Sequence, residues 1–232
     1  MRAPVAPAAE PAAAAEQLWV GAVEVSLWWA RLDVSPHHLE RCRDLLAPEE
    51  RAAGEARRHN RDRYVAARGL LRQVLGRHLG IEPARLRFGH SPQGKPFLRD
   101  LAAAPAFSAS RSGAWLGIAL TTHGAVGLDI ERLRHDVDCR VVAEQLFAPG
   151  ERAALSALAP AARRQAFFSC WVRREACLKG IGTGLALPPE QLEVGVEPAL
   201  ARVTCQHHRW LVQNVTAPQA GYVAAVAVEN GV

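Results

Sequence analysis

The sequence predicts an α+β fold made of two similar halves, and three observations carry that prediction. Short segments of alternating apolar and polar residues mark strands. Long stretches with apolar residues at helical spacing mark arginine-rich helices that end at glycine. The order helix, glycine, strands occurs twice along the 232 residues, a length that suits two halves of about 110 residues each.

In chain order, residues 1–17 form an Ala- and Pro-rich segment, with Pro7 and Pro11 breaking the Ala runs and Glu10 and Glu16 among them. It has no compact apolar core of a signal peptide, so a disordered leader is expected. Order should begin near Leu18. Val23, Val25 and Leu27 alternate with Glu24 and Ser26, a strand pattern. Leu45 to Arg77 reads as helical, with Tyr64, Ala67, Leu71, Val74 and Leu75 near one stripe and Gly76 and Gly80 at its end. HSPQGKPFLRD is rich in turn residues. AWLGIAL and AVGLDIE flank Thr121–Gly124 and suggest a hairpin. The division falls near Ala125, giving halves 18–124 and 125–232. In the second half, Arg140 to Leu158 is helical with a break at Pro149-Gly150 and a stop at Pro160. A stronger helix covers Ala162 to Lys179, and WLVQNV and GYVAAVAV are the terminal strands.

Composition excludes some classes. The chain is 49% hydrophobic and 22% charged, ordinary for a globular protein with a sizeable core. No apolar run of membrane-spanning length occurs. The five cysteines form no CxxC, and an odd, scattered set argues for reduced thiols in the cytoplasm rather than a disulfide framework. His37-His38 and His207-His208 lack a cysteine pair at zinc-finger spacing. The net charge of +5 favours an anionic partner without choosing between a phosphorylated cofactor, nucleic acid and an acidic protein. Arg57, Arg58, Arg61, Arg63, Arg68, Arg72 and Arg77 would motivate a nucleic-acid module. They scatter around the helix, however, and Tyr64 is nearly alone among them, so aromatic interleaving is poor.

Three segments carry chemistry. In AVGLDIE, strand alternation turns Val126, Leu128 and Ile130 to one face and Gly127, Asp129 and Glu131 to the other. Two carboxylates on one face can share a hard cation such as magnesium. The same pattern also describes solvated charges at a strand end. In WVRREACLKGIGTGL, Trp171, Glu175 and Lys179 lie one helical turn apart along one stripe, which alone also fits a surface ion pair. The glycines of GIGTGL follow the helix. A phosphate-cradling loop precedes a helix, so that free N–H groups face the anion. These glycines fit a left-handed helix stop instead, and no GxxxxGK[ST] or dinucleotide fingerprint is present.

Read in order, GKPFLRDL, FSASRSG, VGLDIE and FFSCWVRREACLKGIGTGL resemble the 4′-phosphopantetheinyl transferases of the surfactin-synthetase-activating type. The likeness runs from about Leu45 to GYVAAVAV. It implies two α+β halves in pseudo-two-fold arrangement with the active site at their interface, in a monomer. It implies transfer of the phosphopantetheine arm of coenzyme A to a serine of an acyl or peptidyl carrier protein, with release of 3′,5′-ADP. The metal would be Mg2+, or Mn2+ in its place. Asp129 and Glu131 match the strand carboxylates that bind metal. Glu175 matches a third ligand that is also a base candidate, directly or through a water. Lys179 matches a lysine on the coenzyme's phosphates. Lys95, Ser110, Arg111 and Arg63 match or lie among the coenzyme-binding positions, with Arg57 and Arg68 as further candidates, and Trp171 matches a supporting tryptophan. Arg111 stands where surfactin-type members usually have histidine, and because guanidinium stays protonated no base role is expected there. Arg174 stands where they have lysine, and Arg99 where they have the second proline of KPxxP. The resemblance implies neither nucleic acid nor membrane as partner. A magnesium-dependent phosphohydrolase is the other enzyme class to be tested.

Overall fold

The computed structural model describes residues 15–101, 103–182, 188, 192–205 and 208–231. The first half contains β1 (Glu16–Val20), β2 (Val23–Arg31), α1 (Pro36–Asp44), α2 (Pro48–Glu55), α3 (Arg61–Leu79), β3 (Phe88–His90), β4 (Pro96–Leu98), β5 (Ala106–Ser112) and β6 (Trp115–Thr121). The second contains β7 (Val126–Arg132), α4 (Cys139–Leu146), α5 (Pro149–Ala157), α6 (Pro160–Ile181), β8 (Ala201–Cys205), β9 (His208–Val215) and β10 (Tyr222–Glu229). Each half folds three helices and one antiparallel sheet. The sheets have the orders β1-β2-β6-β5 and β7-β10-β9-β8, and β3 and β4 form a small separate hairpin. The mixed helix-and-strand class expected from the sequence is the one observed.

Side-chain alternation sorts the layers. Val25 and Leu27 of β2, Val126 and Leu128 of β7, and Val226 and Val228 of β10 form a core joining the two sheets. Their neighbours Trp28 and Ala30 turn the other way, to a second core with Val65, Leu70 and Val74 of α3. Ala225 and Ala227 of β10 likewise meet Val172 and Ala176 of α6 in a third. A period of two in the strands thus feeds different cores from opposite faces.

Local details depart from the sequence reading in four places. Glu16 and Gln17, expected in the leader, are the first residues of β1. The helical stretch from Leu45 is interrupted: α2 ends at Glu55, and α3 starts after Asn60, which adopts a left-handed φ of 66°. A further helix, α1, precedes both, with Ser35 capping it and Pro36 in its first turn. The expected β6–β7 hairpin does not form. Both edges of β6 are occupied, by β2 and β5, so β7 pairs with β10 and the chain crosses between sheets at the Thr122–Ala125 connection.

The two halves share a buried ion pair. Leu45-Leu46-Ala47-Pro48-Glu49-Glu50-Arg51-Ala52-Ala53 recurs as Leu146-Phe147-Ala148-Pro149-Gly150-Glu151-Arg152-Ala153-Ala154, opening α2 and α5. In each copy the helix-capping residue is alanine, with no side-chain oxygen. The glutamate three residues on accepts its backbone N–H, at 3.0 Å for Glu50 and 2.9 Å for Glu151. Each glutamate also takes an arginine from the long helix: Arg72 of α3 at 2.8 Å and Arg174 of α6 at 2.9 Å. Glu151 further accepts the N–H groups of Val194 and Gly195, fixing the chain that returns after α6. Removing one partner of such a pair strands a buried charge. Glu50→Ala and Glu151→Ala should each cost about 3–5 kcal/mol in urea unfolding. A loss under about 1 kcal/mol, the value of an exposed pair, would show that the latch is dispensable.

Candidate active site

The site is built on one close approach. The backbone of α6 lies on β7 at Gly127, where an added Cβ would overlap the Ala176 carbonyl oxygen and crowd the Gly180 nitrogen. Only glycine admits the helix there. Gly127, Asp129 and Glu131 share that face, as alternation predicts, so the two carboxylates lie under Glu175 and Lys179 of α6. Gly182, with φ 82°, closes the helix and donates its N–H to the Leu178 carbonyl at 2.8 Å. This is the left-handed stop expected of the glycines; residues 183–185 of GIGTGL lie outside the described residues.

The first half reaches the same place through β5. This strand does not pair with β7, yet its alternate serines bond to it in sequence. Ser108 Oγ accepts the Leu128 N–H at 3.0 Å. Ser110 donates to Asp129 Oδ1 at 2.7 Å. Ser112 donates to Glu131 Oε2 at 2.7 Å and accepts the Arg132 N–H at 3.0 Å. β7 is the edge of its sheet, and these hydroxyls take the place of a backbone ladder. Lys179 completes a triangle, donating to Asp129 Oδ1 at 2.6 Å and to Ser110 Oγ at 2.7 Å.

The charge balance of this seam is uneven. Burial raises the Asp129 carboxyl above its ordinary value, against the pull of Lys179 and Ser110. Burial also raises Glu131, opposed by Ser112. Glu175 is raised by burial and then by the charge of Asp129. Two buried oxygens, Asp129 Oδ2 and Glu175 Oε1, have no hydrogen-bond partner among the described residues. Unpartnered carboxylate oxygens in a buried, acidic corner suit a cation, and an all-oxygen donor set suits magnesium. As the side chains lie, no three His, Cys, Asp or Glu residues among those described converge on a metal-sized point. Asp129 Oδ1 is held by Lys179 and Ser110, and Glu131 Oε2 by Ser112.

The other sequence candidates divide. Lys95 joins the seam, but through backbone: its ammonium donates to the Gly180 carbonyl at 2.6 Å and the Val126 carbonyl at 3.3 Å. Burial lowers its pKa to about 8. It caps the carbonyl end of α6, where a cation is favoured. Arg111 leaves the serine face, since alternation turns Phe107 and Ala109 of the same strand toward α3. Burial, then the charges of Arg57 and Arg68, lower its pKa. Those two arginines stack on Tyr64, 4.5 and 5.8 Å from the ring centre. Arg57, Arg68 and Arg111 thus form a basic cluster, in which Arg68 also lies 3.9 Å from Glu50. Arg63 is exposed on the first turn of α3, toward Asp33, whose carboxyl Arg31 chiefly holds low and Arg63 lowers further. Arg72 is buried in its latch, which leaves the arginines of α3 without a single binding stripe. Trp171 is partly buried and stacked on Phe167, a packing role. The sequence reading passed over Ser108 and Ser112; their signal is serine at every second position of FSASRS.

A cleft of about 270 Å³ opens on this seam, lined by Lys95, Ser108, Glu175, Lys179 and Gly182 among others. A larger one of about 640 Å³ lies between α1 and the end of α3, lined by His38, Arg41, Gln73 and Arg77 among others, and holds none of the seam's carboxylates.

The two-half fold gathers carboxylates and a lysine at its seam, and comparison with known proteins gives the class of enzyme. A family model for the 4′-phosphopantetheinyl transferase superfamily matches residues 125–227. The chain is 33% identical to the 4′-phosphopantetheinyl transferase HetI of Nostoc sp., over 88% of this chain and 87% of that protein. It is 28% identical to the 4′-phosphopantetheinyl transferase Sfp of Bacillus subtilis, over 69% of this chain and 71% of that protein. A third relative, the 4′-phosphopantetheinyl transferase gsp of Aneurinibacillus migulanus, is 33% identical over 55% of this chain and 52% of that protein. The chain belongs to the 4′-phosphopantetheinyl transferase family and is an enzyme of that class.

A titration test follows from the raised carboxyl of Glu175. Its folded pKa lies above the ordinary 4.5, so it contributes stability below that value, and the contribution is lost as pH rises through the folded pKa. In EDTA, Glu175→Gln should therefore raise Tm by a few degrees near neutrality, with the gain shrinking as acid protonates the wild-type carboxyl. A variant less stable than wild type at neutral pH would show that Glu175 is satisfied by a partner in the protein.

Proposed function

We propose that the chain moves the 4′-phosphopantetheine arm of coenzyme A to a serine hydroxyl of an apo acyl or peptidyl carrier protein, releasing 3′,5′-ADP. The observation that carries this reading is the Asp129–Ser110–Lys179 triangle, with the unpartnered oxygens of Asp129 and Glu175 beside it on the seam. Magnesium, or manganese in its place, would be held by Asp129, Glu131 and Glu175. When bound, it neutralises pyrophosphate oxygens and the carboxylates themselves.

The chain's own groups account for the rest. Lys179, fixed by Asp129 and Ser110, presents its ammonium where negative charge grows on the leaving phosphate. As the carrier's serine oxygen bonds to the β-phosphorus of coenzyme A, the phosphoanhydride bond breaks and its electron pair leaves with 3′,5′-ADP. The serine proton passes to Glu175, directly or through a water. Burial and the Asp129 charge make that carboxylate a stronger base than an exposed glutamate. Arg57, Arg68 and Arg111 would hold the 3′-phosphate, and Arg63 would add charge at the rim. Lys95 acts from beneath, by anchoring α6, and its ammonium adds positive charge at the cleft. The net charge of +5 favours an acidic carrier surface and explains attraction to an anion without nucleic acid. No helix among the described residues is long and apolar enough to cross a membrane. The five free cysteines support a reducing cytoplasm. One chain supplies both sides of the seam, in keeping with a monomer.

Two tests follow. With coenzyme A, magnesium and a panel of apo carriers, intact mass spectrometry should show one phosphopantetheinyl group added to the carrier. Asp129→Ala and Glu175→Ala should reduce the rate by at least about a hundredfold. Nucleotide release without any carrier would point to a phosphohydrolase, and full activity in either variant would remove that residue from the site. Separately, Arg111→Ala should raise KM about tenfold or more for coenzyme A. With 3′-dephospho-coenzyme A its KM should match that of wild type, and an equal rise for both substrates would place the 3′-phosphate elsewhere.

A further inference from the structure

We propose that Ser112 is a positioning residue for the Glu131 carboxylate, so that the first half of the chain sets the metal affinity of the second. The inference rests on the reading of Glu131 as a metal ligand. A glutamate has three side-chain torsions to fix, and Glu131 sits near the end of β7, half-buried, with less packing to hold it than Asp129. Ser112 supplies the restraint. Its oxygen accepts the Arg132 N–H at 3.0 Å, and that bond occupies a lone pair. The single hydroxyl proton is then aimed at Glu131 Oε2, 2.7 Å away. Ser110 treats Asp129 alike, taking Oδ1 at 2.7 Å, while Oδ2 stays without a partner. In both carboxylates one oxygen is tied to β5 and the other is left for a ligand. Ser110 has a second partner in Lys179, whereas both of Ser112's bonds go to Glu131 and the residue after it. Outer partners that orient a ligating carboxylate typically govern metal affinity by 10–100-fold.

The test uses the full chain and Mn2+ as probe, with free and bound ion measured by electron paramagnetic resonance. Ser112→Ala should weaken Mn2+ binding by about tenfold or more, and Ser112→Thr, which keeps the hydroxyl on a strand-compatible residue, should restore it. Transfer by Ser112→Ala should recover toward the wild-type rate as Mn2+ is raised to saturation, because the ligand itself remains. Thermal unfolding in EDTA should show a single cooperative transition for both variants, with Ser112→Ala lower by a few degrees for the two hydrogen bonds it loses. If Ser112→Ala binds Mn2+ as wild type does while Glu131→Ala has lost binding, the positioning role is wrong although the ligand is right. Threonine binding as weakly as alanine would also overturn it. If Glu131→Ala itself binds like wild type, the ligand assignment fails and the inference falls with it.

Discussion

The constraint on which the site depends is the closeness of α6 to β7. At Gly127 the helix backbone occupies the volume that any side chain would need. That contact brings an ammonium on one helix face to within hydrogen-bonding range of a strand carboxylate. Gly182 and Lys95 hold the far end of the same helix, one by turning the chain and the other by satisfying carbonyls the helix leaves open. Glu151 holds its middle through Arg174. The helix is therefore tied along its length before any substrate arrives, which lets two side chains a turn apart act as one unit.

The seam stores an electrostatic imbalance. Asp129, Glu131 and Glu175 are raised by burial and, for the two glutamates, also by the charge of Asp129, while among the described residues Lys179 is the one ammonium that bonds to any of them. Carboxylates gathered and buried in this way favour a further positive charge beside them. The neighbouring arginine cluster has the opposite sign. Acid and base stand on opposite faces of one strand, Ser110 toward the carboxylates and Arg111 toward Tyr64. A polyanionic substrate that brings a divalent ion has complementary charge for both faces.

Much of this was legible in the sequence where the signal is local. Alternation in AVGLDIE placed Gly127, Asp129 and Glu131 together, and helical spacing joined Glu175 to Lys179. Reading the glycines after the helix as a stop agrees with Gly182. What escaped depends on partners far along the chain. Arg72 and Arg174 look like solvated charges until Glu50 and Glu151, 22 and 23 residues away, are seen to bury them. The β6–β7 hairpin was a sound reading of adjacent strands, but pairing depends on which strand edges are free, and β2 had taken one of them. Ser108 and Ser112 of FSASRS went unread because their partners, the Leu128 N–H and the Glu131 carboxylate, lie on a strand of the other half.

The recurring latch has a consequence for ancestry. Setting Arg72 against Arg174 sets Gln73 against Glu175, Arg77 against Lys179 and Gly80 against Gly182, both glycines with positive φ. α3 thus repeats the outline of α6 with an amide for the carboxylate and a guanidinium for the amine. Two identical subunits cannot specialise, since every change made for binding in one appears in the catalyst of the other. Once both copies lie on one chain, selection can act on each separately. Here one helix carries the acid and the amine, and the other an amide and a guanidinium at the matching positions.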